Sequence, residues 1–424
     1  MKITTCALLA QFLAVSMPLF AGTSDWDPST SPTLRSEQPQ DLLIHGRAFE
    51  LYQHGVRTQW GYQKPQQDIF VVVHPKNERN NAPLYVVLHS AGHDVLSALK
   101  CTSDVGNHDI YRSPDDFYAL YLDCRANMGD WWWGGMHLGD AELTKRNSGA
   151  DPMPVEKRVL DSIHWVMAKY HIDPNRVYLA GNSMGGSGTL GIGLRNGDLF
   201  AAIKANVPAG IEHVSNRMYF SQGVSANVAL PDPPVVVDYS AQNDGWSAGH
   251  DRFAKAMNVR KYSFYLYWGP FGHANNSYDI EKTNDLINSF DWLGVRKNEA
   301  YAVFTNASCN DKLPWPDDMG SKAAGQINAF FRWKCLADTK DKLEMSLFLL
   351  APGDLKTSFQ IPRQATADVS LRRIQKGQIK PDGAFRWTCG SAKGAGKADA
   401  NGLITISGVT ITSVPTKLTV IITG

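Results

Sequence analysis

Net charge is nearly absent from this sequence: 42 lysines and arginines stand against 41 aspartates and glutamates over 424 residues. So even a balance leaves no electrostatic footprint for nucleic acid or for an anionic membrane surface, and neither is expected as a partner. Cysteine is scarce, with six residues, and none has the Cys-x-x-Cys spacing of zinc ribbons or thiol-disulfide enzymes. Long apolar runs are missing apart from one at the N-terminus. There Met1 and Lys2 precede the stretch Cys6 to Phe20, and the small residues Ala21, Gly22 and Thr23 follow before the chain turns polar. A run of about 15 residues is short for spanning a bilayer. Its order of charge, apolar stretch and small residues predicts a signal peptide over residues 1–22, and with it a secreted or periplasmic bacterial location. Removing Cys6 leaves Cys101, Cys124, Cys309, Cys335 and Cys389. In an oxidising compartment Cys101 with Cys124, and one pair among the other three, are candidate disulfides whose connectivity the spacing does not fix.

What is present suits buried cores. Hydrophobic residues make up 43% of the chain and charged residues 20%, and the length exceeds what one core usually supports. From Ile69 to Trp268, short runs rich in Val, Ile, Leu, Phe and Tyr alternate with helical patterns. The runs are Ile69–Val73, Leu84–Leu88, Phe117–Leu122, Val177–Ala180, Ala202–Val207, Val235–Tyr239 and Phe264–Trp268. Between two of them, Val155 to Tyr170 carries Val159, Ile163, Val166 and Met167 on one helical stripe, and Asp279 to Trp292 reads as a closing helix. Such alternation predicts an α/β unit over residues 23–296, a mostly parallel sheet wrapped by helices. Past about Lys297 only short β-prone segments remain, separated by turns such as Pro352-Gly353, Asp382-Gly383 and Asn401-Gly402. They predict a separate all-β sandwich over residues 300–424.

The chemistry concentrates at Val177 to Gly186, where a β-run ends on Gly181-Asn182-Ser183-Met184-Gly185 and the small residues Gly186, Ser187 and Gly188 open a helix-compatible stretch. Strand, sharp turn and helix form the setting in which G-x-S-x-G becomes a nucleophile elbow, lifting the serine hydroxyl above the sheet edge. A serine hydroxyl is a weak nucleophile and needs a base held by a carboxylate. In sheets with this elbow the partners follow in the order acid, then histidine, each after a strand. Asp244 follows Val235–Tyr239 through a short turn, and His273 follows Phe264–Trp268 through Gly269-Pro270-Phe271-Gly272. Asp238, Asp251 and His250 compete for these roles. Asp238 lies within a strand, Asp251 in the following helix, and His250 has no strand in front of it.

Acyl transfer also needs donors for an oxyanion. The backbone N–H of Met184 and that of Ala91, in the loop after Leu84–Leu88, are the candidates. His89 and His93 share that loop, but no third ligand stands beside them, so no metal is expected. Asp130-Trp131-Trp132-Trp133-Gly134-Gly135-Met136 should hang over the same sheet edge. Trp131, Trp132, Trp133 and Trp246 are candidate substrate walls for a sugar ring or a phenolic acyl group, with Trp268 a weaker one and domain-interface packing the alternative.

The loop LHSAGHD at Leu88 to Asp94, the run Arg158 to Tyr170 followed by Ile172-Asp173-Pro174-Asn175, and above all RVYLAGNSMGG at Arg176 to Gly186 resemble the secreted esterase and polyhydroxybutyrate-depolymerase-like branch of the α/β hydrolases, over residues 60 to 295. Ser90 stands where that pattern usually carries glycine. The resemblance implies an acyl-enzyme mechanism with no cofactor, and relatives that include feruloyl, acetyl-xylan and polyester hydrolases. The substrate expected is therefore an ester, acetyl or feruloyl, carried by plant polysaccharide. A serine peptidase on the same scaffold and an inactive glycan-binding protein are the alternatives.

Overall fold

The computed structural model describes residues 31–35, 44–62, 68–104, 106–125, 130–135, 152–217, 232–273, 285–316, 323–356 and 359–423. The predicted signal peptide at 1–22 and the first six residues of the predicted closing helix at 279–292 lie outside them; within the helix's described remainder, 285–288 are helical.

The apolar runs become strands: β1 (Thr33–Leu34), β2 (Phe49–Gln53), β3 (Ile69–Val73), β4 (Leu84–Leu88), β5 (Tyr118–Leu122), β6 (Val177–Asn182), β7 (Ala202–Asn206), β8 (Val235–Ala241) and β9 (Phe264–Gly269). Two further strands are β10 (Tyr301–Thr305) and β11 (Gly325–Ile327). The main sheet has the order β1-β2-β3-β5-β4-β6-β7-β8-β9-β11. Strand β3 is antiparallel to both its neighbours, while β5, β4, β6, β7, β8 and β9 are parallel. Every residue from β4 to β9 in these strands is buried, because parallel strands are covered on both faces. Alternate side chains feed two cores: Val71, Val73, Tyr85 and Val87 enter one, and Phe70, Val72, Val86 and Leu88 the other.

The helices are α1 (Val95–Lys100), α2 (Pro154–Lys169), α3 (Met184–Gly193), α4 (Ile211–Arg217) and α5 (His250–Val259). Helix α2 starts with proline at its first turn, where the missing N–H costs nothing, and buries Val155, Val159, Ile163 and Val166. Asp94 caps α1 in a reciprocal capping box with Ser97.

The remaining strands are β12 (Phe331–Asp338), β13 (Lys342–Leu349), β14 (Gln364–Arg372), β15 (Ala384–Cys389), β16 (Ala392–Lys397), β17 (Ile404–Thr412) and β18 (Thr416–Ile422). They form two antiparallel sheets, β10-β14-β17 and β12-β13-β18-β15-β16. In β13 the alternate residues Leu343, Met345, Leu347 and Leu349 are buried in one core with Val369, Ile404 and Ile406 of the other sheet.

Two expectations need correcting. The C-terminal part is not set apart at residue 300: β11 leaves it to pair with β9 as the last strand of the main sheet. This covers an edge whose open N–H and C=O groups would otherwise invite foreign pairing. The buried Arg373 guanidinium donates to the carbonyls of Gly197, Phe200 and Ala201, and Arg372 to those of Arg260 and Lys261. A cleft of about 430 Å³ lined by Phe290, Tyr301, Arg332 and Trp333 opens where the two parts meet. The second correction concerns disulfides. All five described cysteines are free thiols. Cys101 packs on one core and Cys124 in the other, on opposite faces of the main sheet, so the candidate bond between them has no geometry.

Candidate active site

Strand β6 ends on Asn182 and α3 begins at Met184, leaving Ser183 alone in the turn with φ 56° and ψ −116°. That backbone is strained for a residue with a Cβ and persists because its surroundings fix it. The Ser183 N–H donates to Asn206 O at 3.0 Å, and its carbonyl accepts from Ser187 and Ala209. Glycines permit the crossing: a Cβ on Gly185 would lie 1.9 Å from Leu88 O, and one on Gly181 2.2 Å from Gly185 O.

Ser183 Oγ lies 2.7 Å from His273 Nε2, and His273 Nδ1 lies 2.5 Å from Asp244 Oδ2. The second carboxylate oxygen of Asp244 accepts from the Trp246 N–H at 2.9 Å, so both oxygens are held. Asp244 is 2% exposed, whereas the His273 side chain is 32% exposed and open to a reactant. The competing residues pair with each other: His250 Nε2 lies 3.1 Å from Asp238 Oδ2, both fully buried, and the other ring nitrogen faces Ser247 O. Asp251 sits in the first turn of α5.

The loop after β4 is held by Tyr111, whose hydroxyl accepts the Ser90 N–H at 2.9 Å and donates to Ser90 Oγ. Ser90 therefore has no backbone donor to offer, while Ala91 is exposed. Neither the Ala91 nor the Met184 N–H has an acceptor among the described residues. His89 is structural: its Nε2 accepts the Cys124 N–H, and its carbonyl accepts from Trp132 Nε1.

The tryptophans divide. Trp132 and Trp133 are fully buried, which overturns their reading as substrate walls. Trp131 and Trp132 both have left-handed backbone, φ 50° and 67°, and this tight turn drives the second and third rings beneath α3. Gly188 abuts Trp132 and Gly191 abuts Trp133, closely enough that a Cβ at either would collide with the ring. This is why the helix after the serine is built from glycine. Trp131, nearly buried, packs 5.2 Å from Trp246, which is 46% exposed and presents the one open ring face of the four. Trp268 is buried and packs edge-on against Trp315.

Three supporting residues escape sequence reasoning. Asn107 Nδ2 donates to His273 O at 3.2 Å; Tyr111 holds Ser90; and the buried Arg158 donates to Asp123 O at the end of β5. Asn107 and Tyr111 lie in a single 3-10 turn, Gly106–Tyr111, which has no period to read.

No family model matches the sequence, and no curated protein is similar to it by sequence. Solved structures are similar at low identity. An S-formylglutathione hydrolase from Agrobacterium tumefaciens is 14% identical with a TM-score of 0.41, over 62% of this chain and 98% of that one. The fluorophosphonate-binding serine hydrolase F of Staphylococcus aureus is 13% identical with a TM-score of 0.39, over 58% and 98%. An acetyl xylan esterase from Aspergillus awamori is 13% identical with a TM-score of 0.36, over 57% and 98%. Strand order, the antiparallel β3 beside the parallel strands and the serine elbow give this chain the fold of the α/β hydrolases, and its Ser183–His273–Asp244 line is the arrangement on which serine hydrolases are built.

Proposed function

We propose that this protein is a serine carboxylic-ester hydrolase working through an acyl-enzyme. The observation that carries the reading is the continuous hydrogen-bonded line from Ser183 Oγ through His273 to the buried Asp244. His273 Nε2 takes the hydroxyl proton as Ser183 Oγ bonds to the ester carbonyl carbon. The carbonyl oxygen becomes an oxyanion facing the N–H groups of Met184 and Ala91, each such donor worth about 3 kcal/mol of barrier. Collapse breaks the bond to the alcohol, which leaves with the proton from His273. Water then repeats the sequence against the acyl-serine and frees the acid. Asp244 keeps the Nδ1 proton in place, so that Nε2 is the basic nitrogen.

The substrate we infer is an acetyl or feruloyl ester on plant polysaccharide. The exposed ring of Trp246, two residues from Asp244, offers the flat apolar face that suits a sugar or a phenolic group. The signal-like N-terminus supports export from a bacterial cell, and the two C-terminal antiparallel sheets read as a β-sandwich accessory part.

The test is to incubate the protein and its Ser183→Ala variant with acetylated, feruloylated arabinoxylan and to quantify acetate and ferulate. Release by the wild type alone supports the reading and names the acyl group. No release, with cleavage of a peptide or a polyester instead, replaces it.

A further inference from the structure

Outside the catalytic line, three donors of different chemistry meet on the surface beside it. Cys101 Sγ, an Asp104 carboxylate oxygen and a His108 ring nitrogen all lie within 4.8 Å of one another, the only such cluster among the described residues. Cys101 opens a 3-10 turn directly after α1, and His108 lies in the turn Gly106–Tyr111. Cys101 and His108 are half-buried and Asp104 is exposed, so an ion has both a wall and a way in.

We infer that Cys101, Asp104 and His108 form a site for one borderline-soft divalent cation of the zinc type, with water completing its shell. Thiolate, imidazole and carboxylate together suit zinc-like ions, whereas magnesium and calcium take all-oxygen sets. A tetrahedral ion at 2.0–2.3 Å from each ligand needs the donor atoms about 3.5 Å apart. The three donor atoms stand within 4.8 Å of one another, and the exposed Asp104 is the side chain with room to draw in. On binding, the Cys101 thiol releases its proton to solvent as the sulfur–metal bond forms, so affinity rises with pH.

The position gives the ion leverage. The His108 ring stacks on Tyr111 at 5.3 Å and 15°, and Tyr111 fixes Ser90 next to Ala91. Asn107, the residue before His108, donates to the His273 backbone. One short turn thus supports both the base and the oxyanion loop, and an ion at one of its side chains stiffens it. The ion is placed where it orders the site without taking part in the reaction.

The experiment uses the full chain, freed of metal with a chelator and titrated with Co²⁺, then with Zn²⁺. The expected result is one equivalent of Co²⁺ bound with a thiolate-to-cobalt charge-transfer band in the near ultraviolet, bleached by Zn²⁺. That band is lost in Cys101→Ser, and His108→Gln and Asp104→Asn bind about tenfold or more weakly. Absence of the band at saturating Co²⁺, or a band that survives in Cys101→Ser, overturns the site. Should Cys101→Ser fail to fold, an unchanged Co²⁺ affinity in His108→Gln overturns it equally. None of these readouts depends on what Ser183 hydrolyses.

Discussion

Asp238 and His250 hold each other 3.1 Å apart with both side chains wholly buried, one in β8 and the other opening α5. The ring's other nitrogen faces Ser247 O, and the Ser247 N–H in turn donates to Asp244 O. A second acid-histidine pair therefore braces the turn that carries the first, with the Trp315 ring stacked on His250 at 4.7 Å.

Breaking a buried pair by removing one partner costs about 3–5 kcal/mol, because the other polar group stays buried. His250→Gln is expected to lower stability by that order in a denaturant melt. Turnover of a soluble aryl ester should fall through kcat more than KM, since the loss acts through Asp244. A melt identical to wild type would show the pair to be inert.

Asp244→Asn retains the shape of the side chain but holds the wrong tautomer of His273. A fall of about 10⁴-fold in kcat is expected, with the melt nearly unchanged. Loss of only a few-fold would mean that another acid orients the histidine.

Trp246→Ala and Trp132→Ala should separate binding from stability. The exposed Trp246 ring is expected to affect KM for aromatic or sugar-linked esters by severalfold and the melt hardly at all. The buried Trp132 supports α3 and donates to His89 O, and its loss is expected to cost about 3–5 kcal/mol. Unchanged KM in Trp246→Ala across acyl and sugar variants would remove it from the substrate site.

Histidine 54 makes stability depend on pH. Burial, and then the positive charges of Arg158 and Arg57, hold its pKa well below the usual 6.5, and both ring nitrogens are buried without a hydrogen-bond partner among the described residues. The folded state keeps the ring neutral while the unfolded chain protonates it, so the contribution is complete above 6.5 and is lost as pH falls below it. The loss therefore grows steadily as pH falls from about 7.5 to 5.5. His54→Phe, which keeps an apolar ring between Trp60 and Phe70, should remove this slope from melts taken across that range. An equal slope in both proteins would assign it to other groups.

The sheet and the meeting of Ser183, His273 and Asp244 in one hydrogen-bonded line were legible because the signals for each are local. Apolar runs such as Leu84–Leu88 identify strands by composition, and an elbow fixes where its partners must come in the chain. The fate of Trp132 and Trp133 was not legible, because it depends on two consecutive left-handed residues and on glycines of a helix more than fifty positions away. Nor was the placing of Cys101 and Cys124 on opposite faces, which follows only from the sheet between them. Asn107 reaches the backbone of His273, and Tyr111 the backbone N–H and hydroxyl of Ser90, contacts that no spacing in the sequence signals. The pairing of β11 with β9 was equally hidden: three residues, Gly325–Ile327, are too few to show a period.

That pairing, with Arg373 reaching back across the junction, gives the chain the character of a single casting. Cut before residue 300, the α/β half would present a bare β9 edge and lose the Arg373 donors that hold the carbonyls of Gly197, Phe200 and Ala201. Such a fragment invites aggregation before it can turn over substrate. Evolution or an engineer can vary the surface of the C-terminal sheets, but cannot trade them for another appendage as interchangeable parts.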